Sequence, residues 1–136
     1  MGASVHQRLS PSDAWELAYK ESVTREPWDQ VSYLLDHLGP RFTTASLGVT
    51  DARTVKRWRD ERAEPRDRTA AARLQLLFRI VYAIVETYGR PSVAAGFLRS
   101  ANPQLDDEAP MLLLADSDPV EAQRPLLAAV RAFLEG

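Results

Sequence analysis

The chain has 136 residues, 45% apolar and 26% charged, the balance of one soluble globular domain or two very small ones. It has no cysteine, which excludes a disulfide framework, a thiolate zinc site and a thiol nucleophile, and two histidines, His6 and His37, are too few for most imidazole metal sites. Seventeen basic and nineteen acidic residues leave a formal charge of −2, so the chain as a whole is not a polycation.

The first residues, MGASVHQRLSPSDAW, place no apolar run behind a basic start and so do not read as a signal peptide. Met1-Gly2 opens a myristoylation pattern, but His6 stands where that pattern needs Ser or Thr. Ser10-Pro11-Ser12-Asp13 then predicts a capped helix start, with Ala14 to Tyr19 as its body. Glu26-Pro27-Trp28-Asp29 opens a second helix, whose Val31, Leu34, Leu35 and Leu38 share a face and which Gly39-Pro40 ends. A short helix is expected from Phe42 to Leu47, and Gly48-Val49 makes a turn. Thr50 or Asp51 caps the next helix, which runs through Thr54, Val55 and Trp58 to about Arg59. Asp60 to Asp67, charged and containing Pro65, reads as a loop.

The longest helix is predicted from about Thr69 to Tyr88. Its apolar stripe is widened by Leu76, Ile80 and Tyr82 beyond one packing face, which marks a helix central to a core or, as the lesser share, one lining a dimer contact. Its most apolar stretch, Leu74 to Val85, contains Gln75 and Arg79 and is too short to cross a bilayer, so no membrane partner is expected and the location is read as cytoplasmic. Beyond Gly89-Arg90-Pro91 come a short helix from Val93 to Leu98, a turn at Asn102-Pro103-Gln104 with Leu105 as a buried anchor, a short helix from Ala109 to Leu114, and a last helix from Leu126 to Leu134 led in by Pro125. Alternation and hairpin signals are weak throughout. The expected fold is all-α, with seven or eight helices: an N-terminal extension with one helix (1–26), a helix-turn-helix region (27–68) and a helical C-terminal domain (69–136).

Charge is unevenly placed along these elements. Arg41 to Arg73 holds nine basic and five acidic residues, whereas Ala101 to Gly136 holds two arginines and seven acids. A basic middle and an acidic end suggest two surfaces with different partners. A solvated surface whose charges merely cluster explains the same numbers.

Leu47 to Trp58 is the window that carries a mechanism. Two helices that cross closely need a small residue at their turn, and Gly48 supplies it; Leu47, Val49, Val55 and Trp58 are apolar where the inner faces must be. Val55 and Trp58, three apart, point inward together, which turns Thr50, Arg53, Thr54, Lys56, Arg57 and Arg59 outward. Thr50, Arg53 and Thr54 lie at the helix end that enters a major groove, where the helix dipole also favours phosphate. Arg53, then Arg57, are the candidates for bidentate pairing with guanine. Lys56, Arg59 and Arg62 are candidates for phosphate contacts, which position without specifying. The bland alternative is a helical corner with solvated arginines. From Gly48 to Val55 the spacing is one residue longer than in the commonest phage-repressor pattern, so the turn is expected to be remodelled.

Nothing points to an enzyme. Asp106, Asp107 and Glu108 are consecutive in a turn and do not converge on a substrate. The six glycines are isolated, so no phosphate-cradling loop exists, and neither a metal nor a cofactor is called for.

From Val31 onward, about three-quarters of the chain, the sequence resembles the Xre/MbcA/ParS-type antitoxins and especially their short actinobacterial regulator-like members. The resemblance rests on Gly48-Val49, Arg53-Thr54-Val55, Arg57-Trp58 and Pro65. In the second half it rests on Phe97-Leu98, Asn102-Pro103 with Leu105, Pro110 with Leu113-Leu114, and a final helix with Val130, Phe133 and Leu134. Phe97 stands where many relatives carry tryptophan, and Arg62 follows Asp60-Glu61 where the family often has glycine. The resemblance implies a homodimer that binds double-stranded operator DNA, represses its own operon, and neutralises an NAD-consuming RES-type toxin through its C-terminal domain. Phe97, Asn102, Pro103, Leu105, Phe133 and Leu134 are the partner-binding candidates it implies. For Phe133 and Leu134 the alternative is packing of their own helix onto the domain, and for Asn102 the capping of a turn. A helix-turn-helix regulator with no toxin is the alternative function.

Overall fold

The computed structural model describes residues 8–136, so the reading of the Met1-Gly2 and His6 positions lies outside the described residues. Among the described residues the chain folds into eight α-helices and no strand: α1 (Pro11–Thr24), α2 (Pro27–Leu38), α3 (Pro40–Ser46), α4 (Ala52–Asp60), α5 (Arg68–Tyr88), α6 (Pro91–Arg99), α7 (Pro110–Asp116) and α8 (Pro119–Glu135). A single 3-10 turn, Pro103–Leu105, precedes α7.

Proline sets most of these boundaries. Pro11, Pro27, Pro40, Pro91, Pro110 and Pro119 each occupy the first residue of an α-helix, and Pro103 opens the 3-10 turn. The first helical residue has no intrahelical use for an N–H, and proline's fixed φ already suits the helix. Side chains then take up the orphan donors. Ser10, Asp51, Asp67 and Asp118 accept the N–H of Asp13, Arg53, Thr69 and Val120 respectively.

The last helix departs from the sequence reading. It begins at Pro119 under an Asp118 cap, not after Pro125, which lies exposed inside it. Pro125 removes only the hydrogen bond to the Glu121 carbonyl, and in a helix anchored by Ala122, Leu126, Ala129, Val130 and Leu134 the packing outweighs that loss.

Helix α5 is the axis of the fold, packed by α1, α2, α6, α7 and α8. Every residue from Ile80 to Val85 is buried, which is why its apolar stripe is too wide for one face. Tyr33, Phe78 and Tyr82 cluster edge-to-face and tilted, their ring centroids 5.2–5.4 Å apart. One apolar cluster takes residues from α1 through α8, so the expected N-terminal, middle and C-terminal sections share a core. The N-terminal helix is bound into it. Ala14 and Ala18 are fully buried, and the buried amide of Gln30 donates to the carbonyls of Ser22 and Arg25 at 2.9 and 3.1 Å, closing the end of α1.

Candidate nucleic-acid interface

Helices α2, α3 and α4 form a three-helix unit in which α4 packs on both of the others. Thr43 ties the unit together from within: its buried hydroxyl donates to the Leu34 carbonyl at 3.2 Å. Five residues, Leu47 to Asp51, separate α3 from α4. Gly48 turns the chain at φ +71°, and a Cβ built there would lie 3.0 Å from the carbonyl oxygen of Ala115 in α7. The corner thus needs glycine twice, for its left-handed backbone and for its close approach to a neighbouring helix.

The inward face of α4 is as the spacing requires. Val55 is fully buried, and Trp58 is half-buried against the core cluster. The outward face is open to solvent and basic. Arg53, Lys56 and Arg57 are exposed on it, Thr50 is exposed just before it, and Thr54 is half-buried at its first turn. Arg59 lies lower on the helix, its side chain 38% exposed, with Nε donating to Asp60 at 2.8 Å. Arg62 is past the helix end in a left-handed conformation, φ 50°. This residue closes α4: its N–H donates to the Arg59 carbonyl, and the next N–H, of Ala63, reaches the Trp58 carbonyl at 2.9 Å.

Asp51 is an element the charge count could not place. It caps α4 and also holds Arg53, whose Nη2 lies 3.0 Å from Oδ2. Hydrogen bonding from Arg53 holds the Asp51 carboxyl below the usual range and raises the guanidinium in turn. Arg53 nevertheless stays 90% exposed, so the pair is solvated and exchanges readily for another anion. No ion pair holds Lys56 or Arg57 among the described residues.

One arginine of the basic middle section, Arg73, is structural. Arg73 donates from Nε to the Leu114 carbonyl and from Nη2 to the Ser117 carbonyl, both at 2.9 Å, which closes the end of α7. It is spent inside the fold and has no outward role.

The partner-binding candidates of the C-terminal half divide in two. Phe97, Asn102, Pro103 and Phe133 line one recess of about 410 Å3, with the Phe97 and Phe133 rings 4.9 Å apart. Phe97, Leu105 and Leu134 are 6%, 7% and 5% exposed and belong to the core, Phe97 reaching the recess only with an edge of its ring. As partner contacts these three are corrected: side chains this deeply buried anchor their own elements and offer a partner little or no surface. Asn102 caps the 3-10 turn, accepting the Gln104 N–H at 2.9 Å, and its backbone bridges to Glu108. No family model, curated protein or solved structure matches this chain.

Sequence reasoning missed a third group. Trp15, Arg79, Arg124 and Arg131 converge where α1, α5 and α8 meet: Arg79 lies 5.1 Å over the Trp15 ring and 5.0 Å over Tyr19, and Arg131 lies 5.6 Å over Trp15. The signal was present in α8, where Val120, Arg124, Leu127 and Arg131 share a stripe at i, i+4, i+7 and i+11. Starting that helix at Leu126 cut the stripe in half.

Proposed function

We propose that the chain is a DNA-binding transcriptional repressor of the antitoxin kind, working in the cytoplasm as a homodimer. It meets duplex DNA through α4 and a RES-type toxin through its C-terminal half. The observation that carries the DNA half is the open face of α4: Val55 and Trp58 face inward while Arg53, Lys56 and Arg57 stay in solvent. A short helix held this way, with its N-terminal end outward, fits the geometry by which a recognition helix enters a major groove. In this reading Arg53 exchanges the Asp51 carboxylate for a guanine edge, with Arg57 as a second reader. Thr50, Lys56, Arg59 and Arg62 contact phosphates, and Thr54 supports the first turn.

The toxin half rests on the family resemblance and on the recess at Phe97, Asn102, Pro103 and Phe133. The burial of Leu105 and Leu134 favours the alternative, a helix-turn-helix regulator without a toxin, in which those residues serve the core alone.

Fluorescence anisotropy with duplexes tiled across the DNA upstream of the gene tests the first half. The wild type should bind with a strong inverse dependence on salt, because each neutralised phosphate releases counterions. Absence of binding at low salt would sink it. Co-expression with a RES-type toxin encoded beside the gene tests the second: rescue of growth is expected, and failure to form any complex leaves the regulator-only reading.

A further inference from the structure

Three of the four large apolar side chains that stand exposed among the described residues lie on one side of the molecule: Tyr19 and Val23, each 52% exposed, and Val120, 77% exposed. They border a recess of about 210 Å3 between α1, α5 and α8, which shares Val120 and Gln123 with a wider depression of about 570 Å3 reaching Trp15, Leu127 and Arg131. Tyr19 and Val23 belong to one face of α1 and Val120 and Leu127 to one face of α8, so each helix gives the groove an apolar wall.

Arg79 lies at the floor. Among the described residues its buried Nε has no hydrogen-bond partner and no carboxylate pairs with it, in contrast to Arg25, which pairs with Glu21 at 2.7 Å. Trp15 and Tyr19 lie 5.1 and 5.0 Å from the guanidinium carbon, and neither ring accepts the Nε hydrogen in a hydrogen bond. Burial works against its charge. A half-buried cation with an orphaned Nε–H is one that an incoming carboxylate would satisfy. Arg124 and Arg131, the only two basic residues between Ala101 and Gly136, flank the same groove, and neither depression has an Asp or Glu in its lining.

We propose that this groove is a docking site for an acidic amphipathic helix of another protein, whose apolar face seats between Tyr19, Val23 and Val120 and whose carboxylate pairs with Arg79. The charge argues against a second copy: a two-fold contact across the groove would set three arginines against three arginines. The site is separate from the face of α4 and from the recess at Phe133, so it stands or falls independently of the proposed function.

The test uses the full chain and a fluorescein-labelled helical peptide with leucines at i, i+3, i+4 and i+7 flanked by glutamates, beside the same peptide with lysines for glutamates. The glutamate peptide should bind, shift the Trp15 indole N–H resonance, and bind at least tenfold more tightly than the lysine peptide. Arg79→Gln should weaken it at least tenfold. Should that variant unfold, the exposed pair Arg124→Gln and Arg131→Gln should still weaken it severalfold, and Arg53→Ala should leave it unchanged. Absence of binding, equal binding of both peptides, or indifference to all three arginines overturns the proposal. So do a self-association that Val120→Glu abolishes, which would assign the groove to a second copy, and a duplex that perturbs Trp15 in place of α4.

Discussion

The arginines of α4 and those of α5 show how one residue type serves opposite ends. Arg53 is 90% exposed and held only by a solvated carboxylate, whereas Arg73 spends two hydrogen bonds on the carbonyls that end α7. Arg79, six residues further along α5, lies against the Trp15 and Tyr19 rings. The difference comes from the packing of the parent helix. Helix α4 packs on one side and leaves its opposite face to solvent, so its guanidinium groups can be traded to a ligand at little structural cost. Helix α5 is packed on nearly all sides, and a guanidinium that leaves it must find partners within the protein.

The contrast can be broken most forcefully at α4. Replacing Arg53 and Arg57 together by alanine should lower affinity for the operator more than 100-fold, about 3 kcal/mol or more for two base-reading contacts, with thermal stability nearly unchanged. A matching loss of stability would show that these side chains hold the fold. Arg73→Ala should do the reverse, costing about 2–3 kcal/mol in urea denaturation through two lost charge-assisted bonds, while the folded protein binds DNA as before. Gly48→Ala joins the two regions, because the corner of α4 leans on the same α7. It should cost about 1–3 kcal/mol through a left-handed backbone and a Cβ against the Ala115 carbonyl. A circular-dichroism melt indistinguishable from wild type would mean that the corner relaxes freely.

Two smaller effects sharpen the picture. Arg62 holds a left-handed conformation that suits glycine, so Arg62→Gly should raise stability by about 0.5–1 kcal/mol while lowering the salt slope of DNA binding by about one phosphate. Asp51→Asn keeps the cap and frees Arg53, so DNA affinity should rise a few-fold at most. In the wild type the Asp51 carboxyl titrates below its unfolded value. The contribution of this pair is therefore fully present at neutral pH and is lost as pH falls through the folded midpoint. A carbon-detected titration should find that midpoint low in the wild type and raised, though still held down by the capping N–H of residue 53, in Arg53→Ala.

Much of the fold was legible because its signals are local. Prolines at first helical positions, caps at Ser10 and Asp51, and the apolar stripe of α5 each act within a few residues. The turn at Gly48 and the inward pair Val55 and Trp58 were legible for the same reason. Pro125 misled because a helix-breaking residue can be overruled by a buried face the local sequence does not reveal. Leu105 and Leu134 were placed on a partner surface because an apolar residue in a functional segment looks the same in sequence whether it meets a partner or its own core.

Periodicity and capping, which are short-range chemistry, were enough to read the helical class, most helix boundaries and the exposed placing of Arg53, Lys56 and Arg57 on α4, whereas Thr54 and Arg59 are half-buried. Tertiary structure alone decided which arginines are free, since a guanidinium's availability depends on carbonyls and rings from distant segments, such as Leu114 and Ser117 for Arg73. It alone also brought Trp15, Arg79 and Arg131 to one groove, because their convergence requires α1 and α8 to lie together against α5.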